Sequence, residues 1–226
     1  MSFKEKGYQI IRNAISPELA QFCHRYFILK AKVFSKMLEK RTISPYLNFM
    51  GTFNDPQVPN SYAHYADIVM ETLLIDMQKK MQDETGLNLI PTYSYARIYY
   101  KGNALTRHKD RPSCEVSTTM NLGGNMWPIY IDPTGEDNVK YITESNSKII
   151  TENANPGIKV DLNPGDMLIY KGYDLEHWRE NFDGDVCTQV FLHYNDMDSN
   201  WSNKNKFDGR EFIGLPDDKV FKRKPE

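Results

Sequence analysis

The sequence predicts an α+β fold, with a helical N-terminal third followed by many short β-strands. Three observations predict it. Apolar residues recur at helical spacing as far as about residue 88. From residue 89 the period falls to two, in short runs rich in Tyr, Ile and Val. Turn-forming sequences separate many of those runs: Gly123-Gly124, Asp132-Pro133-Thr134-Gly135, Asn163-Pro164-Gly165-Asp166 and Asp183-Gly184-Asp185. Helices first and strands after define the class. Short strands at regular spacing build a sandwich or a barrel. A chain of 226 residues fits one domain, 1–226, with helical support over 1–88, a β core over 89–195 and a polar tail over 196–226.

Tyr8 to Ile15 is the first strand candidate. Ser16-Pro17-Glu18 then supplies an N-cap, a proline at the first helical position and an acid in the first turn. Leu19, Phe22, Tyr26, Leu29, Val33 and Met37 form the apolar stripe of that helix. Residues 43–59 carry Pro, Asn and Gly and read as loop. Ser61 is the expected cap of a second helix, with Tyr65, Ile68, Val69, Leu73, Met77 and Met81 along one side and Gly86 as its stop. The strand candidates that follow are Leu89–Lys101, Cys114–Leu122, Trp127–Ile131, Ser147–Thr151, Ile158–Leu162, Met167–Lys171, Glu176–Phe182 and Val186–Tyr194. The tail ends in Lys222-Arg223-Lys224, read as a solvated charge run.

Composition narrows the function. Lys and Arg total 28 against 30 Asp and Glu, so the net charge of -2 lacks the basic excess of a nucleic-acid binder. Hydrophobic residues at 40% and aromatics at 12% exclude a disordered chain. No run of 18 apolar residues suggests a membrane span. Neither a nucleic-acid nor a membrane partner is therefore expected. Cys23, Cys114 and Cys187 form an odd set without CxxC spacing, which favours reduced thiols. The first residues lack the apolar core of a signal peptide. Both point to a cytoplasmic location.

The chemistry concentrates in Arg107-His108-Lys109-Asp110 and Glu176-His177-Trp178-Arg179. Residues two apart on a strand share a face, so His108 and Asp110 project together. Two imidazoles and one carboxylate make the facial set that holds Fe(II) and leaves positions open for a co-substrate and O2. A closed four-ligand zinc site would leave none.

This arrangement resembles the Fe(II)/2-oxoglutarate-dependent oxygenases, in the branch that includes the prolyl hydroxylases. His108-x-Asp110 with the later His177 carries the likeness, supported by Arg97-x-Tyr99-x-x-Gly102 upstream and by Pro164-Gly165-Asp166 with its apolar strand before His177. The resemblance implies a double-stranded β-helix (jelly-roll) core with supporting N-terminal helices. It implies Fe(II) held by His108, Asp110 and His177, and 2-oxoglutarate in a pocket lined by Tyr99. It further implies O2, with ascorbate as an optional reductant, and hydroxylation of a peptidyl (for instance prolyl) or small-molecule C–H with release of succinate and CO2.

The sequence departs from the family at one point. The strand after His177 ordinarily carries a basic residue for the far carboxylate of 2-oxoglutarate, and here Val186, Cys187, Thr188 and Gln189 stand in its place. A buried dicarboxylate needs a cation. Arg179, two residues past His177 and on the same face, is the best replacement. Lys171 and Arg97 are weaker candidates, and Gln189 can add a neutral hydrogen bond.

Structural roles are expected for the remaining candidates. His24 and His64 belong to the helical support. His193 packs near the site or supports a ligand. Arg107 and Arg111 form salt bridges, and Trp178 turns away from the metal into core. Tyr93 and Tyr95 share Tyr99's parity. Two other readings compete: a cupin-like metal-binding protein, which would explain the missing cation, and a non-catalytic binding module on the same fold.

Overall fold

The computed structural model describes residues 2–142 and 147–216. The Lys222-Arg223-Lys224 run lies outside the described residues. Strands β1 (Tyr8–Ile11), β2 (Tyr62–Tyr65), β3 (Leu89–Tyr100), β5 (Val116–Gly124), β10 (Met167–Tyr170) and β12 (Val186–Asp196) form the larger sheet, in the order β1-β10-β5-β12-β3-β2. Strands β4 (Leu105–His108), β6 (Ile129–Ile131), β9 (Ile158–Val160) and β11 (His177–Arg179) form the smaller one, in the order β4-β11-β6-β9. Every pairing is antiparallel. A separate hairpin joins β7 (Val139–Ile142) and β8 (Ser147–Ile150).

Period-two alternation decides what each face of the larger sheet touches. Ala96 and Ile98 on β3, Met120 and Leu122 on β5, and Val190 and Leu192 on β12 pack against the helices. The intervening Tyr93, Tyr95, Arg97 and Tyr99 on β3, with Phe191 and His193 on β12, face a cavity. Nearer the other edge, Leu168 and Tyr170 on β10 pack against Ile129, Ile131 and Val160 of the smaller sheet. The molecule is thus helices, large sheet and small sheet in layers, with the cavity between the sheets.

Among the described residues four α-helices accompany them: α1 (Phe3–Lys6), α2 (Pro17–Glu39), α3 (Ile68–Thr85) and α4 (Ser202–Asn205). Ser16 caps α2 as the sequence predicts, its hydroxyl accepting from the Leu19 amide. The buried stripe of α2 is different from the one expected. Ala20, Cys23, Phe27, Ala31 and Phe34 face the sheet, while Leu19, Phe22, Leu29 and Val33 are exposed. Two apolar stripes lie side by side on this helix, and helical period cannot choose between them. Close approach chooses the one with small residues, seating Phe27 and Phe34 against Tyr62 with ring centroids 5.0 and 6.2 Å away.

The second helix is also corrected. It starts at Ile68, and its cap is Asp67, which accepts from the amides of Val69 and Met70. The segment after Ser61 is strand β2, paired with β3, and the Ser61 hydroxyl donates to the Val58 carbonyl instead. Asp67 is fully buried and also takes hydrogen bonds from Tyr26, Lys30 and His64. Gly86 ends α3 in the left-handed conformation, as expected. Strands β2, β4 and β7 were not expected as separate elements; the other strand candidates correspond to observed strands within a few residues. No helix among the described residues is long and apolar enough to cross a membrane.

Candidate metal centre

His108 is the last residue of β4 and His177 the first of β11. They are direct partners across this antiparallel pair, with ring centroids 4.4 Å apart. Asp110 lies just past the end of β4, where its amide donates to the Gly172 carbonyl at 2.8 Å. The chain turn there, and not strand pleating, brings its carboxylate back to the histidines. Asp110 Oδ1 lies 3.6 Å from His108 Nε2 and 3.5 Å from His177 Nε2. The three ligating atoms fall within 4.8 Å of one another.

The imidazoles are set for metal. His108 Nδ1 donates to the Thr106 carbonyl at 2.7 Å, and His177 Nδ1 to the Leu175 carbonyl at 3.0 Å. Each bond places the proton on Nδ1 and leaves the Nε2 lone pair toward Asp110. Burial opposes charge throughout. It would raise the Asp110 carboxyl pKa, but the two imidazoles hold it well below the usual carboxylate range. It lowers His108, with His177 adding to the effect. It would lower His177 too, but Asp110 outweighs it and the net shift is upward. A concentrated negative charge with two adjacent lone pairs fits a divalent cation.

The site opens into a cavity of about 330 Å³ walled by Tyr93, Tyr95, Tyr99, Tyr170 and Phe191. Asp55 and Gln57, from the loop over 43–60, line it as well. Arg97 binds both of them, and Tyr95 also bonds Asp55. Arg97 is therefore paired with an acid of its own. Arg111 pairs with Asp208 and lies over the Tyr93 ring. Arg107 pairs with Glu176 and Asp132. Both follow the salt-bridging expectation.

Arg179 has different surroundings. It is 2% exposed, and no carboxylate pairs with it among the described residues. One guanidinium nitrogen donates to the Trp127 carbonyl and another to Thr119 Oγ1 at 3.0 Å, while Nε has no partner among the described residues. Burial lowers its pKa. Thr119 in turn donates to Gln189 Oε1 at 3.2 Å, and Gln189 Nε2 donates to Cys187 Sγ at 3.1 Å. The hydroxyl of fully buried Tyr99 has no hydrogen-bond partner among the described residues, and its ring packs edge-on against Trp127 with centroids 4.7 Å apart. Tyr170 links this region to the metal ligands, its ring centroid 4.7 Å from that of His177.

The remaining histidines divide as expected. His24 bonds Thr188, and His64 joins the Asp67 cluster. His193 lines the cavity, bonded to Ser117 through Nδ1 at 2.8 Å. Trp178 faces away from the ligands, but it is half-buried rather than core, stacked on Tyr130 and covered by Arg107. Sequence reasoning missed Ser117, which donates to Asp110 Oδ2 at 3.1 Å, and Gly172. A Cβ on Gly172 would lie 2.5 Å from both Asp110 Oδ2 and Ser117 Oγ. No sequence signal marks either residue.

Two antiparallel sheets enclose the His-x-Asp…His cluster, and solved structures share this fold. HygX from Streptomyces hygroscopicus, solved with nickel, 2-oxoglutarate and hygromycin B bound, matches with a TM-score of 0.56 at 14% identity, over 87% of this chain and 85% of its own. A Pseudomonas putida prolyl-4-hydroxylase matches at 0.51 and 11% identity, over 86% of this chain and 95% of its own. SnoK, a non-heme α-ketoglutarate-dependent carbocyclase from nogalamycin biosynthesis, matches at 0.56 and 14% identity, over 86% and 81%. No family model and no curated protein sequence matches the chain. The fold is that of the 2-oxoglutarate/Fe(II) oxygenases, as the sequence motifs imply.

Proposed function

We propose that this chain is an Fe(II)- and 2-oxoglutarate-dependent dioxygenase with a double-stranded β-helix core, oxidising a C–H bond of a small-molecule or peptidyl substrate. One observation carries the reading. Asp110 Oδ1 lies within 3.6 Å of two Nε2 atoms whose imidazoles are both locked, proton on Nδ1, by main-chain carbonyls. His108, Asp110 and His177 would hold the iron. Iron bound there supplies oxygen activation coupled to oxidative decarboxylation of 2-oxoglutarate.

The other residues bind, orient and exclude water. Arg179 is the cation for the far carboxylate of 2-oxoglutarate. Its unpaired charge and the unpartnered Tyr99 hydroxyl are two buried groups that an anionic ligand would satisfy together. Gln189 holds Thr119, which holds Arg179. The aromatic walls keep the cavity dry and position the substrate against the metal. The cavity volume suits a small molecule or one side chain. Neighbours of this fold include a hydroxylase, a carbocyclase and an epimerase. Hydroxylation is the outcome proposed here because the motif likeness is to the prolyl hydroxylases. A cupin-like protein or a non-catalytic module would have no use for a buried unpaired arginine beside an unpartnered tyrosine hydroxyl.

The test is anaerobic addition of Fe(II) and 2-oxoglutarate. A weak visible charge-transfer band is expected, lost in His108→Ala, and O2 should then yield succinate. Tight Fe(II) binding with neither band nor succinate would favour the cupin-like reading.

A further inference from the structure

We propose that His193 is a positioning residue for Asp110, acting through Ser117, and that the pair reserves one carboxylate oxygen of Asp110 for the metal. The inference rests on reading His108, Asp110 and His177 as metal ligands. Asp110 Oδ1 faces both histidines, and Oδ2 faces Ser117 Oγ at 3.1 Å. Ser117 is the only side-chain donor to Oδ2 among the described residues.

Ser117 has one hydroxyl proton and three neighbours that could take it. Besides Asp110 these are the Cys114 carbonyl at 3.0 Å and His193 Nδ1 at 2.8 Å. A proton given to His193 would leave Oδ2 of the half-buried Asp110 without its side-chain donor. The consistent arrangement puts the proton of His193 on Nδ1, so that the imidazole donates to Ser117 Oγ. His193 then no longer competes for the serine proton. Of the two remaining acceptors the charged one binds more strongly, so the proton goes to Asp110 Oδ2.

The surrounding structure holds this relay in place. Ser117 and His193 are direct cross-strand partners on β5 and β12, so the sheet sets their separation. Tyr93 packs on the His193 ring with centroids 4.5 Å apart, and Arg111 lies over Tyr93 at 4.6 Å. The missing side chain at Gly172 leaves the space in which Ser117 and Asp110 Oδ2 meet. With Oδ2 held by Ser117, Asp110 presents Oδ1 alone to the cation.

The experiment titrates metal-free full-length protein with Co(II), following affinity and the visible d–d bands. Ser117→Ala and His193→Phe are each expected to weaken Co(II) binding about 10–100-fold and to change the band shape. The double variant should be no weaker than the worse single one, because both act through the same bond. His193→Asn, whose amide nitrogen can replace the Nδ1 donor, should recover most of the affinity and the original bands. Wild-type affinity and bands in Ser117→Ala overturn the proposal, and that variant carries the test even if His193→Phe does not fold. Losses that add in the double variant, or no recovery in His193→Asn, also overturn it. Absence of Co(II) binding by the wild type would instead overturn the reading of the triad as a metal site.

Discussion

Arg107 donates through Nε to Glu176 at 2.6 Å, and each of these residues immediately precedes one of the two cross-strand histidines. The ion pair therefore sits one step behind His108 and His177 and fixes the register that brings them together. A slip of one residue would turn one imidazole to the opposite face. Asp132 also binds Arg107, and Glu176 accepts from the amides of Asn138 and Val139. Arg107→Met would leave two buried carboxylates without their cation. It should destabilise the fold by roughly 3–5 kcal/mol. Urea unfolding measures this, and adding Glu176→Gln should recover part of the loss. Full stability in the single variant would show that the pair does not hold the strands.

Gly172 is required by space rather than by backbone conformation. An added Cβ would meet Asp110 Oδ2 and Ser117 Oγ at 2.5 Å and the Cys114 carbonyl at 2.6 Å. The carbonyl belongs to the backbone and cannot rotate away. Gly172→Ala should cost about 1–3 kcal/mol in stability. It should also weaken divalent-metal binding more than its effect on melting temperature would suggest. Unchanged metal affinity would mean that Asp110 is not held as described.

Arg179→Met separates stability from co-substrate binding. Arg179 is fully buried without an acidic partner among the described residues, so an apolar residue of similar length should leave the melting temperature unchanged or raise it. Affinity for 2-oxoglutarate should fall by about 2–5 kcal/mol, thirtyfold or more. Succinate formation across a 2-oxoglutarate titration reads the second quantity. An unchanged apparent affinity removes Arg179 from the co-substrate site.

His193 also predicts a pH dependence. Burial is the main cause of its pKa falling from 6.5 to about 4. The unfolded chain therefore takes up this proton near pH 6.5 while the folded protein resists it until about pH 4. Between those values stability falls as pH falls, and it does so at up to about 1.4 kcal/mol per pH unit for this one group. Well above pH 6.5 the group contributes no slope. Denaturant unfolding of the wild type and of His193→Asn over pH 4–7 should differ in slope across that window, and equal slopes would refute the assignment.

Much of the architecture was legible in the sequence because local patterns carry it. The Ser16-Pro17 start, the Gly86 stop and the period-two runs correspond to α2, the end of α3 and most of the strands. His108, Asp110 and His177 could be nominated because their types and order resemble a known set. Two local readings failed for a shared reason. Which stripe of α2 is buried, and whether residues 62–65 form helix or strand, depend on a sheet assembled from distant segments.

What the sequence determined by itself was a parts list: helices, strands, three candidate ligands and a missing cation. The tertiary structure alone decided how those parts meet. The turn after β4 brings Asp110 back to two histidines that β4–β11 pairing sets face to face. It also decided which buried arginine goes without an acid among the described residues. Arg97, Arg107 and Arg111 each meet an acid from a remote loop or strand, while no acid among the described residues reaches the buried Arg179. Charge pairing depends on distance in space, and residues as far apart in sequence as Arg111 and Asp208 become neighbours only when the sheets close.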